Sequence, residues 1–265
     1  LQPLQDGGVT YVERAAIARA PMETVFGLCF ELNCRFFICD YSFKKGRERA
    51  QKLSSLTDHV DALASLIHEK RAEGGRLIVA IAGAPGSGKS TLAKEVARRI
   101  SLQKCPCIVV PMDGFHLDNA ILEDLNLMAR KGAPETFDVG GFTRLIKAIK
   151  SGVDVYVPLF DRPRDLSIAG AMHVSADLPV VIVEGNYLMF DAEGWRDLAP
   201  LWDITARLDV PLPELRARLI QRWLSLNHSR LVATRRAEGN DIPNAQAVID
   251  FALPCDLTLD GQPRS

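Results

Sequence analysis

The chain has 265 residues, of which 47% are apolar and 25% are charged, and its formal net charge at pH 7 is −1. These values are ordinary for a globular protein that can bury one good α/β core, with room for an appendage. Because a net charge close to zero gives no bulk attraction to nucleic acid or to an anionic membrane surface, neither is expected as a partner.

Residues 1–52 contain no recognisable motif, and we expect them to form an extension of unclear order before a single domain, residues 53–265. Charged residues interrupt the apolar runs near Val25 and Phe36, and a charged run follows at residues 44–49. A docking segment is the alternative interpretation of this extension. No apolar run in the chain approaches the length of a membrane span, and no signal-peptide pattern is visible.

The predicted domain begins with a helix, since apolar residues recur at helical spacing between Leu56 and Ile67. Ser55 and Asp58 have the spacing of a capping box, which predicts the start of this helix. The glycine pair at residues 74–75 predicts its end.

An apolar run at residues 76–82, typical of a buried parallel strand, leads into the sequence GAPGSGKS at residues 83–90. This sequence fits the phosphate-binding P-loop pattern G-x-x-x-x-G-K-[ST]. An amphipathic helix is predicted next, because apolar residues recur at i, i+4 and i+8 from Leu92. Strand, glycine-rich loop and helix together favour nucleotide binding over a chance glycine-rich turn.

The residue types of the P-loop suit phosphate chemistry. Glycines let backbone N–H groups approach a phosphate closely, and the helix N-terminus adds unpaired donors. Lys89 is expected to reach the β- and γ-phosphates, and the Ser90 hydroxyl is expected to ligate Mg²⁺. The residues expected to contact the nucleotide are Gly83, Ala84, Pro85, Gly86, Ser87, Gly88, Lys89, Ser90 and Thr91.

A second apolar strand, residues 107–110, is followed closely by Asp113. A carboxylate at the carboxyl end of a parallel strand points into the crevice where α/β folds bind ligands. Phosphoryl transfer needs a base or an orienting group near the γ-phosphate, and Asp113 is the best candidate, with a turn-stabilising role as the alternative. His116 could donate to a substrate hydroxyl and Asp138 could accept from one, although structural roles stay open for both.

The apolar pattern of residues 153–160 predicts a strand. We expect it at the edge of a sheet, because Pro158 has no N–H to donate to a neighbouring strand. Arg162, in the charge cluster that follows, is expected to bind a polar or anionic group of the substrate. The β-branched run at residues 180–183 predicts a central strand. Glu184 at its end is expected to hold the water shell of Mg²⁺, with a buried structural carboxylate as the alternative.

A long basic helix is predicted at residues 211–238, in which Arg218 and Arg222 share one face. We expect this helix to be a mobile lid, with Arg222 as the catalytic arginine that stabilises charge on the transferring phosphate. Arg218 and Arg236 compete for that role. A solvated basic face is the alternative interpretation.

Another strand near residues 204–210, a helix at residues 244–253 and a short strand at residues 257–259 complete the domain. The alternation of strands and helices predicts an α/β fold, specifically a P-loop three-layer sandwich. Its sheet is expected to be mostly parallel, with helices on both faces and a helical lid.

The cysteines lack C-x-x-C pairs with zinc-finger spacing, and a P-loop enzyme works in a reducing compartment. We therefore expect free thiols and a cytoplasmic location. The six cysteines are Cys29, Cys34, Cys39, Cys105, Cys107 and Cys255.

With these residues in place, the chain resembles the phosphoribulokinase/uridine kinase family of P-loop kinases, which includes bacterial-type pantothenate kinases. The likeness covers about residues 76–260 and rests on the P-loop, Asp113, the Glu184-Gly185 pair and the arginine-bearing lid. More specific stretches look like the family branch often described as fructose-transport-system kinases. Those stretches are residues 111–119, 130–138, 158–162, 184–188 and 239–241.

The resemblance implies ATP as the phosphate donor, Mg²⁺ as its metal ion and Asp113 as the catalytic base. Residues 158–165 differ from the substrate stretch expected of a uridine kinase or a pantothenate kinase, so the acceptor stays open.

The leading hypothesis is a phosphotransferase that moves the γ-phosphate of ATP to an alcohol group. The acceptor would be a small metabolite: a sugar, a nucleoside or a pantothenate-like molecule. The alternative is a P-loop NTPase that acts as a nucleotide-dependent switch or regulatory module, which would need no base aimed at an acceptor hydroxyl. The sequence leaves a homodimer open.

Overall fold

The computed structural model of the chain describes residues 55–72 and 74–261. The predicted extension, residues 1–52, lies outside this part of the chain, as do three of the predicted free thiols, Cys29, Cys34 and Cys39. The other three cysteines are free thiols, as expected: Cys105, Cys107 and Cys255.

The described residues form alternating strands and helices. The strands are β1 Leu77–Gly83, β2 Cys107–Pro111, β3 Val155–Asp161, β4 Leu166–Val174, β5 Val180–Gly185, β6 Ile204–Asp209 and β7 Leu257–Asp260. The helices are α1 Leu56–Arg71, α2 Lys89–Leu102, α3 Asn119–Asp124, α4 Val139–Lys150, α5 Leu212–Ser225, α6 Arg230–Arg236 and α7 Ile242–Asp250. Among these helices, none combines the length and the apolar character that crossing a membrane requires.

Helix α1 begins at the predicted capping box. The Ser55 hydroxyl accepts a hydrogen bond from the Asp58 N–H at 3.1 Å, and the Asp58 carboxylate accepts one from the Ser55 N–H at 3.0 Å. Two donors at the helix N-terminus are thereby satisfied, which fixes where the helix starts. The helix ends at Arg71, and Gly74 and Gly75 then adopt positive φ angles of 88° and 84°.

The central sheet is parallel and has the strand order β2-β5-β1-β6-β7. Every residue of β1 and β5 is buried, as their continuous apolar runs predict. Glu184 of β5 is paired in register with Ile81 of β1 and with Pro111 of β2. The carboxyl ends of these three strands therefore lie side by side at one edge of the sheet.

The side-chain alternation of β1 divides the core into two layers. Ile78, Ala80 and Ala82 pack on one face with residues of α4, α5 and α7. The intervening residues, represented by Val79 and Ile81, pack on the other face with α1 and α2. Helices on both faces of a parallel sheet confirm the predicted three-layer α/β architecture.

The edge strand predicted at residues 153–160 forms as β3, in a two-stranded sheet of its own. Strand β3 pairs antiparallel with β4, and the two form a separate hairpin rather than an edge of the central sheet. The register shifts between Val157 and Leu159, on either side of Pro158, which has no N–H to give to the ladder. Strand β4 was missed because small residues, Ala169, Gly170 and Ala171, fill its centre, and such residues do not favour a strand.

The prediction of one continuous basic helix at residues 211–238 is wrong. The stretch forms two helices, α5 and α6, followed by a π-helical turn at Ala237–Asp241. Asn227 adopts a positive φ of 63°, which ends α5, and Ser229 then caps α6 by accepting from the Val232 N–H. The lid is defined here as residues 212–241.

The hairpin approaches the sheet edge at Gly114, in the short 3-10 helix Met112–Phe115 that follows β2. A Cβ atom at this position would lie 2.0 Å from the carbonyl oxygen of Pro158 in β3. Since that neighbour is a backbone atom, it cannot move aside without shifting the hairpin. Only glycine allows this contact between the two elements.

We therefore expect Gly114→Ala to lower the free energy of unfolding by about 1–3 kcal/mol, the usual cost of overpacking. Gly239→Ala is a matched control, because nothing lies within 4 Å of the added Cβ at Gly239. Its effect should stay within about 0.5 kcal/mol. Urea denaturation of the full chain measures both values. Equal stability of the two variants would contradict close packing of β3 on this turn.

Candidate active site

The predicted P-loop connects the end of β1 to the start of α2. Gly86 and Gly88 adopt positive φ angles of 80° and 98°, which favour glycine. Gly88 is the N-cap of α2 and contributes no side-chain cap, so no side chain at the N-cap competes for the first N–H groups of the helix. A helix start of this kind is suited to bind an anion.

A buried hydroxyl supports the same interpretation. A Cβ atom on Gly83 would lie 2.7 Å from Ser87 Oγ, so the first glycine leaves room for this serine. Ser87 is 3% exposed, and its Oγ has no hydrogen-bond partner among the described residues. A buried polar atom without a partner is costly. A phosphate oxygen in the loop would accept from this hydroxyl, so the loop fits the phosphates of a nucleotide.

The two predicted metal residues lie together. Ser90, in the first turn of α2, donates a hydrogen bond from Oγ to Glu184 Oε1 at 2.9 Å. Glu184 is 8% exposed at the end of β5. Mg²⁺ prefers oxygen ligands. In nucleotide sites it keeps several waters and takes its other ligands from the phosphates and from one or two protein oxygens. These two side chains fit that ion.

Asp113 and Arg162, predicted from separate stretches, are brought together. Asp113 lies in the 3-10 helix after β2, and Arg162 follows the last residue of β3. Arg162 Nη2 donates to Asp113 Oδ2 at 2.6 Å. The hairpin thus carries a cation to the carboxylate at the sheet edge, and this contact orients the Asp113 carboxylate.

His116 lies between two aromatic rings, with centroid distances of 4.1 Å to Phe137 and 4.5 Å to Phe160. Its Nδ1 is 2.7 Å from the Asp113 carbonyl oxygen, which can only accept, so Nδ1 carries the proton. Burial lowers the pKa of His116, and the opposing effect of the Asp113 carboxylate is smaller. The neutral ring therefore presents a lone pair at Nε2. In this tautomer Nε2 would accept a hydrogen bond, and the donor role expected toward a substrate hydroxyl stays a prediction.

Asp138 is the N-cap of α4, and its Oδ1 accepts from the Gly141 N–H at 2.7 Å. The structure thus shows the turn-stabilising role that the sequence left open for this residue. Contact between Asp138 and a substrate stays a prediction.

Of the three lid arginines that compete for the phosphate-clamp role, Arg218 reaches the P-loop. Its Nη1 donates to the carbonyl oxygens of Ser87 at 3.2 Å and Gly86 at 3.4 Å. Arg222 Nη2 instead donates to Asp241 Oδ1 at 3.0 Å. Arg236 lies 5.0 Å from the centroid of the Trp223 ring. The phosphate-clamp role of Arg222 stays a prediction, and Arg218 is the better-placed candidate in this structure.

Sequence reasoning gave no role to Lys131 or Tyr187. Lys131 Nζ lies 5.1 Å from the centroid of the Phe160 ring, beside His116. Tyr187, three residues after Glu184, donates from its hydroxyl to the Gly132 carbonyl oxygen at 2.7 Å. The signal was present, because both residues lie in stretches that carry the family resemblance.

A cavity of about 160 Å³ adjoins the start of the P-loop. It is lined by Gly83 and Ala84, by residues 207–210 at the end of β6, and by Val248 and Ile249 of α7. This position suits the base or ribose of a nucleotide whose phosphates lie in the loop.

Comparisons with known proteins identify the family of the chain. A model of the Phosphoribulokinase / Uridine kinase family matches residues 78–222, more than half of the chain. The uncharacterised protein YggC of Escherichia coli (strain K12) is 38% identical over 187 residues, which is 70% of this chain and 78% of YggC. A candidate uridine kinase of Schizosaccharomyces pombe, C227.14, is 34% identical over 197 residues, which is 69% of this chain and 83% of that protein.

A solved structure extends the likeness to three dimensions. The match is the crystal structure of a candidate fructose transport system kinase from Silicibacter sp. TM1040. Its sequence is 53% identical to this chain, and the two structures superpose with a TM-score of 0.72. The alignment covers 75% of this chain and 98% of that chain. The two chains are therefore similar in both sequence and fold.

The P-loop lysine gives the most direct test of the nucleotide site. Lys89→Ala removes a charged donor from the phosphates and should weaken binding of Mg·ATP by about 10- to 100-fold. Lys94→Ala, at an exposed position of the same helix, is the matched control and should keep the wild-type affinity. Calorimetric titration measures both, with thermal melting to check the fold. Equal affinities would contradict the site.

Proposed function

Because the chain belongs to the phosphoribulokinase/uridine kinase family of P-loop kinases, we propose that it transfers the γ-phosphate of ATP to a hydroxyl of a small metabolite. The observation that carries the proposal is the position of Asp113. Asp113 lies two residues after Pro111, the last residue of β2, and Pro111 pairs with Glu184 of β5. Glu184 in turn accepts a hydrogen bond from the Ser90 hydroxyl. A candidate base thus lies at the same sheet edge as the candidate phosphate and metal site.

The P-loop side of the site would bind the nucleotide. Backbone N–H groups of the loop, the Ser87 hydroxyl and Lys89 would hold the phosphates. Ser90 and Glu184 would hold Mg²⁺, which when bound neutralises charge on the phosphate oxygens. Arg218 donates to the loop carbonyl oxygens and would add positive charge at the same point.

Asp113 would act on the acceptor. As the acceptor hydroxyl attacks the γ-phosphorus, its O–H bond breaks and the proton passes to the Asp113 carboxylate. A new O–P bond forms, and the bond from the γ-phosphorus to the bridging oxygen breaks, which leaves ADP. Arg162 orients the carboxylate through its hydrogen bond, so the base is positioned before the substrate binds.

The acceptor would bind beside the hairpin. His116 and Phe160, which are half-buried, supply aromatic surface there, and Arg162 and Lys131 supply cations. Aromatic surface with a few polar groups suits a sugar, a nucleoside or a pantothenate-like molecule. The neutral His116 ring would accept from a hydroxyl of such a molecule.

The test is a phosphorylation screen of sugars, nucleosides and pantothenate with ATP and Mg²⁺, repeated with Asp113→Asn. We expect the variant to keep ATP affinity within a few-fold but to slow transfer by about 10²–10⁴-fold, the usual share of a general base. Asp124→Asn, at an exposed position of α3, is the control and should transfer at the wild-type rate.

Two results would contradict the proposal. Transfer by Asp113→Asn at the wild-type rate would show that this carboxylate is structural. ATP hydrolysis without any acceptor, at a rate that Asp113→Asn leaves unchanged, would favour a nucleotide-dependent switch instead.

A further inference from the structure

Two of the stretches that carry the resemblance supply no group to the phosphoryl-transfer step itself. They are the acceptor loop, defined as residues 130–138, and the GND turn, Gly239–Asp241 at the end of the lid. The structure joins them, because Asn240 Nδ2 donates to the Lys131 carbonyl oxygen at 2.8 Å. A contact between residues 109 positions apart in the chain is a tertiary link, not a local turn feature.

The Asn240 amide is held in one orientation. Its Oδ1 accepts from Asn244 Nδ2 at 3.2 Å, and Asn244 is a buried residue of α7, 3% exposed. With its oxygen facing that donor, the amide must turn its NH₂ group toward Lys131. An aspartate at position 240 could keep the contact with Asn244 but has no N–H to give to the loop.

The acceptor loop is attached to the wall of the acceptor site. Lys131 Nζ donates to Asn119 Oδ1 at 2.6 Å and to the Asp165 carbonyl oxygen at 2.8 Å. The same ammonium group lies over the Phe160 ring, which packs against His116. A displacement of the Lys131 backbone would therefore move the groups that face the acceptor.

The GND turn is attached to the lid. Asp241, the residue after Asn240, accepts from Arg222 Nη2 at 3.0 Å and from Trp223 Nε1 at 2.6 Å. Both donors lie on α5, the helix whose Arg218 contacts the P-loop. Adjacent residues of one turn thus bind the acceptor loop and the helix that lies against the nucleotide site.

We propose that Asn240 is a positioning residue that couples nucleotide binding at the P-loop to ordering of the acceptor loop. The inference rests on the proposed function, because it requires a nucleotide in the loop. A nucleotide that holds α5 in place would also hold the GND turn, and Asn240 would pass that restraint to the Lys131 backbone. Such coupling is reciprocal, so an acceptor in the loop would tighten nucleotide binding by the same factor.

Hydrogen exchange of the full chain, with and without Mg·AMP-PNP, a non-hydrolysable ATP analogue, tests this coupling without an acceptor. In the wild type, the analogue should slow exchange in the lid and also in residues 130–138. For residues 130–138 we expect slowing of about fivefold or more, because fivefold is the lower end of common coupling factors. In Asn240→Asp, slowing in the lid should persist and slowing in residues 130–138 should fall below about twofold.

Asn126→Asp makes the same chemical change at an exposed position and should behave like the wild type. If Asn240→Asp fails to fold, Asn240→Ala removes the donor without adding a charge, and the same loss is expected. A purely structural role would alter exchange equally with and without the analogue. If a folded Asn240 variant shows the same slowing in residues 130–138 as the wild type, the coupling inference is overturned, while the proposed function is unaffected.

A calorimetric titration of the wild type with Mg·AMP-PNP separates that result from a failure of the proposed function. If the analogue binds and the loop does not respond, only the coupling is wrong. If the analogue does not bind, the nucleotide site itself fails, and the coupling is overturned with it.

Discussion

The site depends on the parallel register of β1, β2 and β5. Because Glu184 pairs with both Ile81 and Pro111, three strands end together, and the residues that follow them meet at one edge. The P-loop follows β1, and Asp113 follows β2. A slip of one residue in β5 would turn Glu184 to the other face of the sheet, away from Ser90, and would break the 2.9 Å hydrogen bond between them. The proposed chemistry therefore rests on strand pairing before it rests on any side chain.

The charged groups of the site are held in place by protein contacts. Arg162 donates to Asp113, Arg222 donates to Asp241, and Lys131 Nζ lies 3.0 Å from Asp165 Oδ2. A group that acts where it now lies would need little reorganisation if charge developed at a reacting phosphate, which is how preorganised sites lower a barrier. The same contacts set a condition on the lid. If Arg222 is to clamp a phosphate, as the sequence predicts, it must first leave Asp241, whereas Arg218 already lies against the P-loop.

Local patterns predicted the central sheet and the loop that follows β1 well. The continuous apolar runs of β1 and β5, the glycine pattern of the P-loop and the Ser55 capping box each act over a few residues, so they can be read from the chain directly. The pairing of β3 with β4 could not be read in this way, because the centre of β4 consists of small, exposed residues and only Met172 and Val174 near its end face the core. The break between α5 and α6 depends on one left-handed residue, Asn227, which a basic helical stretch does not reveal. The tautomer of His116 depends on a carbonyl oxygen that only the folded backbone supplies.

The central claim is that Ser90 and Glu184 form the metal-binding part of a Mg·ATP site. It is tested most directly by measuring how ATP affinity changes with Mg²⁺ concentration in the wild type and in Glu184→Gln. The account predicts that Mg²⁺ tightens ATP binding in the wild type and that this gain is largely lost in the variant, while ATP affinity in EDTA is the same for both proteins within a few-fold. An identical gain from Mg²⁺ in a folded Glu184→Gln variant would contradict the claim.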